Sequence, residues 1–251
     1  LHGGGWCIFD RTRDRIVHEA LARRGIVVAA PDFRTGEEGA YPRQMADAHY
    51  ALRWLRANAR RFNADPQRIG LTGSSSGGHV AMLIAMRPHD PRYAAIPSPD
   101  GGGPVVPRCV AMLWPVVNPL GRYRYATKAL ESGLKADWPP KIVGYHHRFW
   151  PDVAAMEEGN PMLILERGEK IVAPPAMWIQ STRDDVHNYH DESVKAAVPE
   201  TERFAALYRK AGGIMDLENF DAPLMFATDL ADLPATAEAH ERLADFIHRH
   251  V

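Results

Sequence analysis

The sequence predicts an α/β fold in which a mostly parallel sheet carries helices on both faces. Three observations predict it. Strand-like and helix-like segments alternate along the chain, the strand-like ones are short, continuous apolar runs, and the alternation breaks once before resuming. In order, Thr12 stands where it would cap a helix through Arg24. The apolar stripe of that helix is Ile16, Val17, Ala20 and Leu21, and Gly25 stops it. Ile26–Ala30, reading IVVAA and ending at Pro31, is then expected to be a buried parallel strand. A second helix from about Pro42 to Arg61 places Met45, Ala48, Leu52 and Leu55 at helical spacing. Strand Arg68–Thr72, helix Gly77–Met86 and strand Cys109–Val116 follow, with a Pro/Gly-rich loop from Pro88 to Pro107 before the last of them. The rhythm is lost from Asn118 to about Lys170, so residues 118–170 read as an insertion over the carboxyl edge of the sheet, a lid or cap. It returns with strand Ala176–Ser181, helix Thr201–Ala211, strand Ile214–Phe220 and a helix from about Ala235 to His250.

At 251 residues the chain suits one α/β domain, 1–251. Its net charge of −1 gives no reason to expect nucleic acid or an anionic membrane as partner, and the arginines are scattered. Two cysteines, Cys7 and Cys109, make no disulfide framework, which points to a reducing, cytoplasmic setting. No run has the length of a transmembrane helix. Leu1 falls directly before a loop motif, so the N-terminal strands are expected to lie outside this sequence, which leaves secretion open. No His/Cys/Asp/Glu cluster has metal-ligand spacing, and neither a metal nor another cofactor is expected. An oligomer is compatible with the sequence.

Two short stretches carry chemistry. Gly73-Ser74-Ser75-Ser76-Gly77 lies between a strand and a helix, where a tight turn flanked by glycines lifts a serine oxygen above the sheet. The following helix N-terminus favours negative charge there. His2-Gly3-Gly4-Gly5-Trp6 lets backbone N–H groups converge on one point without side chains in the way, as an oxyanion hole requires. Either stretch alone is an ordinary glycine-rich turn. Their order and spacing together point to acyl transfer.

HGGGW, then PDFR with YPRQMAD and ALRWL, then GSSSGGH, resembles the hormone-sensitive-lipase-like branch of the α/β-hydrolases, bacterial esterases included. The resemblance implies an α/β-hydrolase fold. It makes Ser75 the nucleophile, Gly4, Gly5 and Ser76 the oxyanion donors, His2 an anchor of the glycine loop and Trp6 a wall of the substrate pocket. It also places the triad acid after the strand in PPAMWIQSTRDDVHN, at Asp184, with Asp185 the near alternative.

The base departs from the family. Where histidine is expected in an H-x-F segment after the last strand, the chain reads Phe220-Asp221-Ala222-Pro223-Leu224-Met225-Phe226, with Leu224 in its place beside the pocket. His187 and His190 satisfy the order Ser, Asp, His but share the acid's own loop, where a surface or supporting role is the expectation. His146 and His147 lie in the insertion, and His79 is expected to support the glycine loop. Three functions follow: a hydrolase of small or medium hydrophobic esters, a non-hydrolytic binding protein on an esterase scaffold, and a lyase or cyclase in the same pocket. The intact serine, aspartate and glycine loop rank the hydrolase first.

Overall fold

The computed structural model describes residues 1–251 except 99, 100, 192 and 195–197. Four strands, β1 (Leu71–Ser74), β2 (Val110–Leu113), β3 (Ala176–Arg183) and β4 (Met215–Pro223), form one sheet in that order, and every pair is parallel. Alternate strand residues face opposite layers. Val110, Met112, Ala176 and Trp178 pack into one apolar core, while Ala111, Leu113, Met177 and Ile179 pack into another. The first core is covered by α2 (Arg43–Asn58), α3 (Ser76–Met86) and α8 (Glu200–Lys210), and the second by α1 (Arg15–Ala22) and α10 (Pro234–His250). Helix α3 is buried on all sides, as its run from Val80 to Met86 demands. The chain has the α/β-hydrolase architecture of a parallel sheet between helical layers.

Between β2 and β3, four helices replace the strand–helix rhythm: α4 (Pro119–Glu131), α5 (Trp138–Phe149), α6 (Val153–Glu158) and α7 (Pro161–Glu166). Asn118, Asp152 and Asn160 cap three of them through side-chain oxygens, two of these beside a proline at the first turn. The short helix α9 (Phe226–Asp229) follows β4.

Ile26–Ala30 corrects an expectation. The segment is extended but forms no strand, and its residues are half-buried or exposed. Strand-forming residues need a ladder partner. A groove of about 1100 Å³ is lined by this segment and by Leu71 and Thr72, and on the edge of β1 away from β2, among the described residues, only the backbone of Leu1 pairs, with Thr72 and Ser74. The remaining element ends differ from expectation by a few residues; Thr12, for example, bonds Asp10, and α1 starts three residues later. Among the described residues no helix is long and apolar enough to cross a membrane.

Candidate active site

Ser75 occupies the turn from β1 into α3 with φ 50° and ψ −118°, a conformation that costs a non-glycine residue on the order of 1–3 kcal/mol. The turn is held from both sides: Ser75 N–H donates to the Leu113 carbonyl at 2.9 Å, and its own carbonyl accepts from His79 and Val116. Glycine is required on each flank. A Cβ on Gly73 would lie 2.4 Å from the Gly77 carbonyl oxygen, and one on Gly77 would lie 2.2 Å from that of Leu1.

The serines on either side fasten the glycine loop. Gly3 N–H donates to Ser74 Oγ at 3.0 Å, and Trp6 N–H donates to Ser76 Oγ at 3.0 Å. Ser74 Oγ in turn donates to the buried carboxylate of Asp14 at 2.7 Å, a support that nothing in the sequence pattern marks. Gly4 and Gly5 sit between these two fastenings with φ +117° and +58°. Among the described residues the N–H groups of Gly4, Gly5 and Ser76 meet no acceptor. His2 stacks on Phe33 at 4.2 Å below the loop.

Asp184 ends the β3 segment and folds the next turn around itself. Its Oδ1 accepts from the N–H groups of Val186 and His187, both at 2.9 Å. That turn carries the His187 ring back over the same carboxylate. His187 Nδ1 lies 2.8 Å from Asp184 Oδ2, and His187 Nε2 lies 3.0 Å from Ser75 Oγ. Serine, imidazole and carboxylate thus form one hydrogen-bonded line, with acid and base three residues apart on one loop. Burial pushes the His187 pKa below 6.5, against the opposing pull of Asp184, so the ring is neutral at pH 7. Burial raises the Asp184 pKa, but His187 and the two N–H donors outweigh it and the acid stays ionised. In that state Nδ1–H donates to Asp184 and the free Nε2 lone pair faces the serine hydroxyl.

The surface position expected for His187 is corrected: the ring is buried and bonds both Asp184 and Ser75. A four-residue turn brings these distances together locally. Asp185 is exposed, and among the described residues only its carbonyl is engaged, by Tyr125 Oη at 3.2 Å. His190 faces the Val198 carbonyl, His146 is buried between the carbonyls of Ile142 and Pro119, and His147 bonds Tyr123. None of them meets Ser75. His79 supports the glycine loop, accepting from Trp6 Nε1 at 3.1 Å and reaching the Gly159 carbonyl with Nε2.

Trp6 does not wall an open pocket. It is 2% exposed, stacked on Phe149 at 5.1 Å and met edge-on by His79, His146 and Trp150. Trp114, Phe149 and Trp150 are core residues as well. Large aromatic rings at this junction bury more area between layers than they could at a cleft rim. Tyr145 of α5 instead covers Gly5, where an added Cβ would meet its ring at 2.4 Å. Leu224 joins Ala126, Trp138, Ile142, Val143, Tyr145 and Val186 in an apolar cluster beside the triad loop.

Comparison with known proteins agrees with this architecture. Residues 1–95 match the BD-FAE family model. Esterase LipC of Mycobacterium tuberculosis is 28% identical over 86% of this chain and 49% of its own length. Carboxylesterase NlhH of the same organism is 33% identical over 36% of this chain and 28% of its own. The chain is thus similar to proteins named as esterases and, over its first 95 residues, to the BD-FAE family. It spans about half the length of LipC. Among solved structures, a thermostable esterase from Pseudomonas putida matches with a TM-score of 0.74 at 21% identity, over 100% of this chain and 72% of that one. An esterase from the archaeon Pyrobaculum calidifontis matches equally well, with a TM-score of 0.74 at 21% identity over 99% and 74%. The relatives and solved structures matched are named as esterases or carboxylesterases.

Proposed function

We propose that this protein hydrolyses small or medium carboxylic esters through a Ser75–His187–Asp184 triad. The observation that carries the reading is the continuous line from Ser75 Oγ to His187 Nε2 at 3.0 Å and from His187 Nδ1 to Asp184 Oδ2 at 2.8 Å. As Ser75 Oγ attacks the ester carbonyl carbon, its proton passes to His187 Nε2. The imidazolium so formed is stabilised by Asp184, and the carbonyl oxygen becomes an oxyanion facing Gly4, Gly5 and Ser76 N–H. His187 then returns the proton to the departing alkoxide, leaving the acyl group on Ser75. Water, activated by the same imidazole, releases the acid and restores the serine.

The apolar cluster of Trp138, Val143, Tyr145, Val186 and Leu224 favours a hydrophobic acyl or alcohol group. Helices α4 to α7 serve in this proposal as a lid carrying that cluster. The non-hydrolytic readings drew on Leu224 standing where a histidine was expected, and an imidazole beside Ser75 takes that support away. Three proteins test the proposal with p-nitrophenyl butyrate and a fluorophosphonate label. The unaltered protein turns over ester and is labelled, Ser75→Ala does neither, and His187→Gln loses about four powers of ten in kcat. Turnover that survives His187→Gln would overturn the assignment of the base, and an unaltered protein inert to both reagents would overturn the hydrolase.

A further inference from the structure

Helix α4 and its N-cap contact the loop that holds Asp184 and His187 through residues that recur along one face. Asn118, Arg122, Tyr125 and Ala126 recur at the spacing of a single helix face. At one end the Asn118 carbonyl accepts from Tyr189 Oη at 2.8 Å, and its Nδ2 donates to Asp191 at 3.0 Å. At the other, Tyr125 donates to the Asp185 carbonyl at 3.2 Å and stacks on Tyr189, while Ala126 packs in one cluster with Val186. Arg122 is midway between these two anchorages on the same helix face, and its charge acts on Asp184, His187 and Tyr189 of the loop. It is 2% exposed, and among the described residues its Nε and Nη1 have no partner. Among the described residues no carboxylate is bonded to it. A buried guanidinium with unmet donors is costly, and hydrogen bonding explains nothing of why it is there.

We propose that Arg122 is a positioning residue of the triad: a buried cation, docked by α4 onto the Asp184–Tyr189 loop, that favours ionised Asp184 and uncharged His187. This rests on the reading of His187 as the base. The groups facing it are few. Asp184 and Tyr189 face Arg122 from the loop and His146 faces it from α5, while His187 is faced by Asp184, Arg122 and the Ser75 hydroxyl. Burial pulls the Arg122 pKa down to about 10, against Tyr189 and Asp184, which leaves it charged at any pH where an esterase works. A fixed positive charge here disfavours a second one on His187. It therefore keeps Nε2 free to take the Ser75 proton at lower pH.

Titration of His187 tests this. Its imidazole resonances, assigned by their loss in His187→Gln, are followed by NMR in the unaltered protein and in Arg122→Met, Arg122→Gln and Arg122→Lys. The acid limb of kcat/KM is measured beside them. Both neutral variants should raise the His187 midpoint and the acid limb together by roughly 0.5–1 pH unit, because removing a nearby cation makes imidazolium easier to form. Arg122→Lys should restore both. A midpoint unmoved in a folded neutral variant overturns the proposal. So does Arg122→Lys shifting as far as Arg122→Met, since charge would then be irrelevant. Failure of both neutral variants to fold assigns Arg122 to structure alone and overturns it too. The NMR midpoint needs no turnover, so an unaltered protein that hydrolyses nothing would sink the esterase reading while the effect of Arg122 on His187 is still read.

Discussion

His187 reaches Ser75 because Asp184 turns the chain on itself. The carboxylate binds two N–H groups of its own turn with Oδ1 and the imidazole with Oδ2, so one side chain shapes the loop and orients the base. Asp184→Asn should therefore cost more than charge. It weakens the turn and favours the wrong imidazole tautomer, and a loss of about 10⁴ in kcat is expected from steady-state kinetics. Leu224→His should bring no gain in kcat, because the base is already supplied and the new ring enters an apolar cluster. A large gain in that variant would show His187 to be idle. The pH profile follows from the same residue. Burial holds the His187 pKa below 6.5, so the acid limb of kcat/KM is centred below pH 6.5, where His187 takes up a proton. A decline centred above pH 6.5 would contradict this environment.

The elbow and the glycine loop behave as one device at the level of elements. The three consecutive serines divide the work: Ser75 presents its hydroxyl to His187, while Ser74 and Ser76 hold the loop at Gly3 and Trp6. Ser76→Ala keeps the backbone N–H but leaves the Trp6 N–H buried without its acceptor. A stability loss of about 1–3 kcal/mol by urea unfolding is expected, with a fall in kcat larger than any change in KM. The serine run and its glycines were legible in the sequence, because a strand-to-helix turn of this tightness admits few residue types. What the flanking serines bind was not legible, since the loop lies some seventy positions earlier in the chain. Asp184 was legible from its place after β3. The contact of His187 with Ser75 was not, although D-D-V-H is a short-range signal, because it depends on a turn that brings two distant segments together.

Across the whole molecule, buried histidines make folding sensitive to acid. His79 is fully buried and its pKa is pushed down to about 4 by loss of solvent, despite its bond to the Gly159 carbonyl; His49 is likewise depressed to about 4. Both pKa values are lower folded than unfolded, so the unfolded chain binds more protons below pH 6.5. Stability is full above that pH and falls as pH drops toward 4, by on the order of 3 kcal/mol for each ring. Melting temperature measured from pH 7.5 to 4 should decline accordingly, and His79→Gln should flatten part of the slope. A melting curve indifferent to pH in this range would show that neither ring stays neutral in the fold.

The sequence by itself determined four strands of a parallel sheet, the helices around them, the tight turn at Ser75 and the place of Asp184 after β3. Each is written in local periodicity or in glycines that one backbone geometry requires. Tertiary structure alone decided that IVVAA forms no strand, that Trp6 packs inward, and that α4 sets a cation against the loop of Asp184 and His187. These depend on partners distant in the chain, and a residue's neighbours in space are fixed only when the layers close.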